Sequence, residues 1–301
     1  MATASQMPGA VIRLLRPFNL LLIIAIQLVV HHEVIATRGI GSLLTTRELL
    51  LVIVMTVTTA AAGYVINDIH DVRMDEINKP GKNVVGRAIT VPHAWILYWL
   101  LTLSGAVACL LLIPAYSFAA PIIFSLTTTG LWLYSALFKQ RPLIGNLMVS
   151  LFCALVIYIL WIPQVDSGLP EDAISARQLI WAYVLFSFLI TLIRELIKDI
   201  EDLRGDSAIG ARTAPAVWGV PLTIRVIRGL IASLVIAMVA WHVWLAGAFL
   251  WWQLAYLGLT VVIPLLVAGW RIGGSEPDEM GAYSTIMKVI VVFGTIYLII
   301  L

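Results

Sequence analysis

The most informative segment of the sequence is LLLVIVMTVTTAAAGYVINDIHDVRMD, Leu49–Asp75. It begins with an apolar run of about the length that a membrane-spanning helix needs, roughly 20 residues. It then changes abruptly into a segment with three aspartates. Since a segment inside a bilayer must satisfy its own backbone hydrogen bonds, and since alternating ten-residue strands are absent from the sequence, the stretch predicts an α-helix. That helix ends in an acidic cluster at a membrane surface.

The whole chain has the composition of a polytopic membrane protein. Of its 301 residues, 61% are hydrophobic and 12% are charged, whereas soluble domains have about 45–50% apolar and about 25% charged residues. This composition excludes a soluble enzyme. Cys109 and Cys153 lie inside apolar runs and are expected to be core residues. Nucleic acid is not an expected partner, because no basic stripe with interleaved aromatic residues occurs in the sequence.

The sequence predicts an all-α protein with nine transmembrane helices. The apolar stretches cover approximately residues 18–37, 48–66, 93–113, 117–137, 143–163, 177–197, 222–246, 248–270 and 283–301. If the N-terminus is cytoplasmic, 16 of the 19 Lys and Arg residues fall on the cytoplasmic side. The positive-inside rule therefore predicts this orientation. We expect an integral protein of the cell's inner or plasma membrane, with its chemistry at the cytoplasmic face, where the long polar loops lie.

A second acidic segment repeats the first. NDIHDVRMD ends the second predicted helix and KDIEDLRGD ends the sixth, and both contain D-I-x-D-x-R-x-D. The five matching residues, four of them charged, share one offset of 131 positions in a chain that has few charges. We interpret the segments 67–75 and 198–206 as an internal repeat within a single membrane domain, residues 1–301.

The aspartates in each segment are spaced for one helical face. Steps of three and then four residues place them on a common stripe of a helix. Poorly solvated carboxylates repel one another unless cations neutralise them, and Mg²⁺ binds through a few carboxylates together with substrate phosphates. The spacing therefore predicts a magnesium-diphosphate site. Its expected metal ligands are Asp68, Asp71, Asp75, Asp199, Asp202 and Asp206.

Basic residues accompany the acidic segments on the predicted cytoplasmic side. They are Arg73, Lys82, Arg87, Lys139, Arg194, Lys198 and Arg204. Arg and Lys, together with Mg²⁺, commonly hold a leaving diphosphate while negative charge develops on it. The alternative is that the segments are solvated helix ends carrying ion pairs, such as Glu195 with Lys198. Two segments with the same internal spacing favour the diphosphate site.

These motifs resemble those of the UbiA superfamily of intramembrane prenyltransferases. Its first signature, N-D-x-x-D-x-x-x-D, is matched from Asn67 to Asp75, and its second, D-x-x-D-x-x-x-D, from Asp199 to Asp206. RPFN at 16–19, YSALFK at 134–139 and GN at 145–146 are also similar to family motifs. The resemblance implies nine helices around a central cavity, with the two acidic motifs facing each other beneath cytoplasmic loops.

The resemblance also implies an activity, the transfer of a prenyl group from an allylic diphosphate to a lipid or aromatic acceptor. It implies two Mg²⁺ ions, adds Asn67 to the expected metal ligands, and adds Tyr134 and Asn146 to the diphosphate-binding residues. The residues expected to be catalytic are Asp71, Asp202, Lys139 and Lys198. No obligate protein partner is implied.

The acceptor has two candidate classes. RELIKDIEDLRGD followed by GART is most similar to the digeranylgeranylglyceryl phosphate synthase group, whose acceptor is a glycerol-phosphate ether lipid. Homogentisate prenyltransferases carry a similar K-D-x-x-D-x-x-G-D string, so prenylation of an aromatic quinone precursor is the alternative. An ion-coupled transporter is an alternative of another class. Transporters usually place their acids near mid-membrane in broken helices, whereas these acids cluster at one face with arginines.

Overall fold

The computed structural model describes residues 7–37, 43–78, 83–165, 174–245, 251–276 and 279–301, and its regular elements there are helices, which confirms the all-α prediction. In chain order they are α1 (Met7–Leu15), α2 (Pro17–Ala36), α3 (Thr46–His70), α4 (Val72–Asn78), α5 (Val91–Leu111), α6 (Ile113–Tyr116), α7 (Ala119–Phe138), α8 (Ile144–Tyr158), α9 (Ile162–Val165), α10 (Ile174–Glu201), α11 (Leu203–Ala208), α12 (Ala214–Trp218), α13 (Val220–Leu245), α14 (Trp251–Gly274) and α15 (Met280–Ile300).

Eight helices in the described part of the chain are long and apolar enough to cross a membrane, namely α2, α3, α5, α7, α10, α13, α14 and α15. The protein is therefore an integral membrane protein. The sequence predicted nine such helices, and the difference lies at the fifth predicted span. There α8 has only 15 residues, or about 22 Å at 1.5 Å per residue. In a continuous helix the ring of Pro163 would clash with the carbonyl four residues earlier, so α8 ends before that point and Pro163 lies in the first turn of the four-residue α9.

The chain divides into two compact units. Unit 1 contains the described residues within 1–28, 42–139 and 159–168. Its central helix is α3, which contacts α1, α5 and α7. Helix α5 can approach α3 closely because position 105 is glycine, where a Cβ atom would lie 2.9 Å from Thr58 Oγ1. Helix α1 buries Ala10 and Leu14 in one apolar cluster with Val65 and Ile66 of α3. This packing anchors α1 beside the end of α3 that carries the acidic segment.

Unit 2 contains the described residues within 29–41, 140–158 and 169–301. Its central helix is α10, which contacts α8, α13 and α15. One face of α10 is fully apolar and buried, with Ile190, Ile193, Ile197 and Ile200 at helical spacing. Burial of this face fixes the rotation of α10 about its axis, and thereby the direction of the polar residues between these positions.

Candidate active site

The first acidic segment is bent at its middle aspartate. Asp71 has φ −88° and ψ 0°, so α3 ends there and α4 begins at Val72. The Asp71 amide donates to the carbonyl of Asn67 at 2.9 Å, and the Asp75 amide donates to the carbonyl of Asp71 at 2.8 Å. This region of φ/ψ space is sparsely populated and is one where many active-site residues lie. Four-residue hydrogen bonds continue on both sides of Asp71, although its ψ departs from the helical value, and a common face for the three aspartates stays a prediction.

The carboxylate of Asp71 is buried and is held from two sides. Asn67 Nδ2 donates to Asp71 Oδ2 at 2.6 Å, and Lys139 Nζ donates to the same oxygen. Only 7% of Asp71 is exposed. A buried carboxylate is unfavourable unless it is paired and hydrogen-bonded, and here the ammonium and the amide meet both requirements. The structure thus brings together three predicted site residues, two of which are 68 positions apart.

The position of Lys139 depends on an irregularity in α7. The last residues of that helix, Tyr134–Phe138, form a π-helical turn, and the Lys139 amide donates to the carbonyl of Tyr134 at 2.8 Å. The wider turn shifts every following residue around the helix axis relative to an α-helix. Single π-turns of this kind are frequent at functional sites. Tyr134, a predicted diphosphate-binding residue, is half-buried within this same turn.

Arg16 belongs to the same cluster, and sequence reasoning missed it as a site residue. Arg16 Nη2 donates to Asp68 Oδ1 at 2.5 Å, and its guanidinium lies 4.9 Å from the centre of the Tyr64 ring. Its φ of 51° is left-handed, a conformation that costs a residue with a side chain about 1–2 kcal/mol. The signal in the sequence was RPFN, an arginine and a proline placed directly before the first apolar run.

The other predicted residues of unit 1 lie at its surface or outside the described residues. Arg73 on α4 and Arg87 in the following turn are exposed, and Asp75 on α4 is half-buried. The turn at Arg87 depends on Gly86, whose φ of 87° suits glycine. Lys82 lies outside the described residues.

The second acidic segment has the same backbone design within unit 2. Asp202 has φ −89° and ψ 1° and separates α10 from α11. Its amide donates to the carbonyl of Lys198 at 2.8 Å, and the Asp206 amide donates to the carbonyl of Asp202 at 3.0 Å. The internal repeat inferred from the sequence is therefore also a repeat of local backbone structure. As in the first segment, four-residue hydrogen bonds continue on both sides of the middle aspartate, although its ψ departs from the helical value.

Asp199 is held by a predicted site residue on another helix. Asn146 Nδ2, in the first turn of α8, donates to Asp199 Oδ2 at 3.0 Å. Asn146 is 7% exposed, and its own carbonyl accepts from the Ser150 hydroxyl at 2.6 Å. Asn146 was predicted to bind diphosphate, and the structure places its amide group on the carboxylate of a predicted metal ligand.

Two of the predicted phosphate-binding cations of unit 2 face a glutamate. Arg194 Nη1 donates to Glu195 Oε1 at 2.6 Å, and Lys198 Nζ lies 3.9 Å from Glu195 Oε2. Glu195 is 7% exposed. The ion pair considered as the alternative for Glu195 and Lys198 is thus present. Arg204 is exposed on α11, while Asp206 on the same helix is buried.

The donor set suits Mg²⁺, which prefers carboxylate and amide oxygens. In the described ranges, no three Asp, Glu, His or Cys side chains are already arranged to hold a metal ion. In unit 1, Arg16 and Lys139 compensate Asp68 and Asp71 instead. Mg²⁺ characteristically binds one or two carboxylates and completes its shell with water and substrate phosphates. The residues therefore fit a metal ion that arrives together with a diphosphate.

Comparison with known proteins identifies the family. The model of the UbiA prenyltransferase family matches residues 27–290. The chain belongs to the UbiA prenyltransferase family. This confirms the resemblance drawn from the acidic motifs, and it identifies the protein as a transferase, which excludes the transporter alternative.

Relatives of this UbiA-family chain are similar over most of their length. The digeranylgeranylglyceryl phosphate synthase of Methanospirillum hungatei JF-1 is 31% identical over 269 residues, which are 89% of this chain and 87% of that protein. The protein of the same name from Metallosphaera sedula is 31% identical over 235 residues, covering 78% and 76% of the two chains.

Solved structures show the same fold. A UbiA homologue from Aeropyrum pernix K1 matches with a TM-score of 0.69 at 16% identity, covering 93% of this chain and 97% of that one. A UbiA homologue from Archaeoglobus fulgidus bound to DMAPP and Mg²⁺ matches with a TM-score of 0.59 at 16% identity, covering 97% and 99%. These matches show that the chain has the UbiA fold.

Proposed function

We propose that this UbiA-family protein transfers a geranylgeranyl-type prenyl group from its allylic diphosphate to a glycerol-phosphate ether lipid. The observation that carries the proposal is the buried carboxylate of Asp71, which accepts hydrogen bonds from Asn67 and Lys139. The similarity to the digeranylgeranylglyceryl phosphate synthase of Methanospirillum hungatei JF-1, over 89% of the chain, supports the choice of donor and acceptor. The Archaeoglobus fulgidus homologues bound to DMAPP or GPP with Mg²⁺ support a prenyl diphosphate as the donor.

The first task of the site is to hold the diphosphate and stabilise the charge that develops on it. When the allylic C–O bond breaks, its electron pair stays on the diphosphate and an allylic cation remains. Lys139 and Arg16, already directed at aspartates in unit 1, supply preorganised positive charge for the leaving group. We assign the same role to Arg73, Lys82, Arg87, Arg194, Lys198 and Arg204, with Tyr134 as a hydroxyl donor.

Both acidic segments are proposed to hold magnesium. The proposed ligands, direct or through water, are Asn67, Asp68, Asp71, Asp199 and Asp202, with Asp75 and Asp206 next in line. Two Mg²⁺ ions, when bound there, supply positive charge that disperses the charge of the leaving diphosphate. Asn146 keeps the carboxylate of Asp199 oriented by donating to one of its oxygens, which leaves the other oxygen available.

The second task is to direct the cation to the acceptor. The hydroxyl oxygen of the acceptor attacks the allylic carbon, a new C–O bond forms, and the hydroxyl proton is released. The net products are the ether, diphosphate and a proton. An apolar environment limits capture of the cation by water. We place this chemistry at the cytoplasmic face, because 16 of the 19 basic residues fall on that side in the predicted topology.

The experiment is a product screen with the purified full-length protein. Geranylgeranyl diphosphate and Mg²⁺ are supplied with either geranylgeranylglyceryl phosphate or homogentisate, and diphosphate release and the prenylated product are measured, the latter by mass spectrometry. We expect release and an ether product with the glycerol-phosphate acceptor, and neither with Asp71→Asn. Turnover only with homogentisate would assign the aromatic acceptor instead, and no turnover with either would overturn the proposal.

A further inference from the structure

A half-open apolar cavity lies in unit 2, away from the second acidic segment. It has a volume of about 120 Å³ and lies between α10, α13, α14 and α15. Its α10 wall, from Ala182 to Phe186, lies about 20–26 Å from Asp199 along the helix, at 1.5 Å per residue. The proposed prenyl transfer leaves this cavity without a role.

The walls of the cavity are tied in place by hydrogen bonds and ring contacts. The Tyr183 hydroxyl donates to the carbonyl of Gly294 at 2.9 Å. Tyr297 and His242 share a hydrogen bond of 3.0 Å, and the Tyr256 ring stacks on Tyr297 with 5.9 Å between ring centres. These contacts link α10, α13, α14 and α15 around the opening. The cavity is therefore bounded by constrained aromatic side chains and not by loosely placed ones.

One buried polar atom at the cavity has no hydrogen-bond partner within the part of the chain that the structure describes. The indole nitrogen of Trp241, which lines the cavity, is buried and makes no hydrogen bond within the described residues. Indole N–H can only donate, so it requires an acceptor. A lone water is a poor solution, because a buried water needs two to four polar partners and the remaining lining is overwhelmingly apolar. The geometry calls for a ligand that is mostly hydrocarbon and carries an acceptor oxygen.

The depth of Trp241 identifies the class of ligand. Trp241 lies two residues before the end of the apolar span Val220–Val243, at the level where tryptophans anchor at the membrane interface. The ester or ether oxygens that join lipid chains to glycerol lie at that same level, with the chains extending inward. A prenyl diphosphate fits poorly, since no charged residue lines the cavity to hold its headgroup. We infer that the cavity binds one hydrocarbon chain of a membrane glycerolipid, whose glycerol-linked oxygen accepts from Trp241 Nε1.

The test is lipid binding by the full-length protein. Protein purified in dodecyl maltoside and freed of lipid is titrated with dioleoylphosphatidylglycerol, and bound lipid is counted by native mass spectrometry. We expect one saturable lipid on the wild type. Trp241→Phe keeps an aromatic ring but loses the donor, so its affinity should fall about fivefold, as expected for one hydrogen bond. Ala237→Trp, which fills the cavity, should remove the saturable lipid. Trp251→Phe is the matched control, because Trp251 is 80% exposed and does not line the cavity.

Two further measurements test whether the hydrogen bond contributes to binding and whether the bound chain belongs to a lipid or to a prenyl diphosphate. Squalene, a hydrocarbon without oxygen, should bind wild type and Trp241→Phe equally. Geranylgeranyl diphosphate should not displace the lipid. The inference is overturned if Trp241→Phe binds phosphatidylglycerol like the wild type, if Ala237→Trp keeps the saturable lipid while remaining folded by circular dichroism, or if the diphosphate competes with the lipid.

Discussion

Asp71 and Asp202 adopt the same backbone conformation, with φ and ψ of −88° and 0° at the first and of −89° and 1° at the second. Each donates its amide to the carbonyl four residues earlier and accepts from the amide four residues later. Each also separates a long helix from a short one. The repeat of 131 positions is thus also a repeat of the local backbone structure at the two helix ends.

Asp71→Asn and Asp202→Asn should each lower prenyl transfer by about 100-fold or more, because each removes a negative charge that the proposed metal ion requires. Diphosphate release under saturating Mg²⁺ measures the effect, and circular dichroism checks that the variants fold. Glu76→Gln, an exposed acid on α4, is the matched control and should be close to wild type. Near-normal turnover of either aspartate variant would remove that residue from the site.

Lys139→Met should also lower turnover by about 100-fold, since it removes a preorganised charge from the leaving group. If Lys139 and Asp71 act as a unit, the double variant with Asp71→Asn should be little worse than either single variant. Arg141→Met, at an exposed position two residues along, should have no such effect. Additive losses in the double variant would show that the two side chains act independently.

Arg16→Gln should lower kcat/KM about tenfold, because Asp68 loses its cation and the diphosphate loses a charge. The stability change should stay below about 1 kcal/mol, since the Arg16 side chain is 38% exposed and its ion pair is screened. Steady-state kinetics and thermal unfolding separate the two effects. Arg13→Gln, exposed on α1, is the control. A large loss of stability with normal kinetics would instead make Arg16 a structural residue.

Asn146→Leu keeps the size of the side chain and removes the donor to Asp199, so we expect about a tenfold loss of activity. Asn146→Asp should be worse, because it places a second carboxylate beside Asp199. Gln140→Ala serves as the control, because Gln140 is exposed and lies four residues before the start of α8. Equal activity of the Leu and Asp variants would contradict a role through Asp199.

Chelation with EDTA should stop diphosphate release without unfolding the protein, and added Mg²⁺ should restore it. The reason is that Asp68 and Asp71 are compensated by Arg16 and Lys139 without a metal ion. Diphosphate release and thermal unfolding are measured on the same sample, before and after chelation. Full activity in EDTA, or loss of helix on chelation, would each count against the proposed site.

Much of the fold could be predicted, because a long apolar run inside a membrane must satisfy its own backbone hydrogen bonds and therefore forms a helix. The eight long helices confirm this. The fifth predicted span was too long because its hydropathy continues past Tyr158, whereas Pro163 and the turn before it end the helix. The π-turn that places Lys139 could not be predicted, because the spacing of apolar residues in the sequence does not distinguish it from an α-helical turn. Local backbone irregularities of this kind depend on packing against neighbouring helices.

Apolar runs and residue spacing are properties of the chain alone, so they were enough to predict a membrane protein with two matched acidic segments. Which charges form pairs depends instead on how the helices pack. Lys139 reaches Asp71 across 68 positions, and Arg16 reaches Asp68 across 52. Spacing along a helix predicts neighbours within about one turn, whereas these pairs exist because α1, α3 and α7 pack together in unit 1.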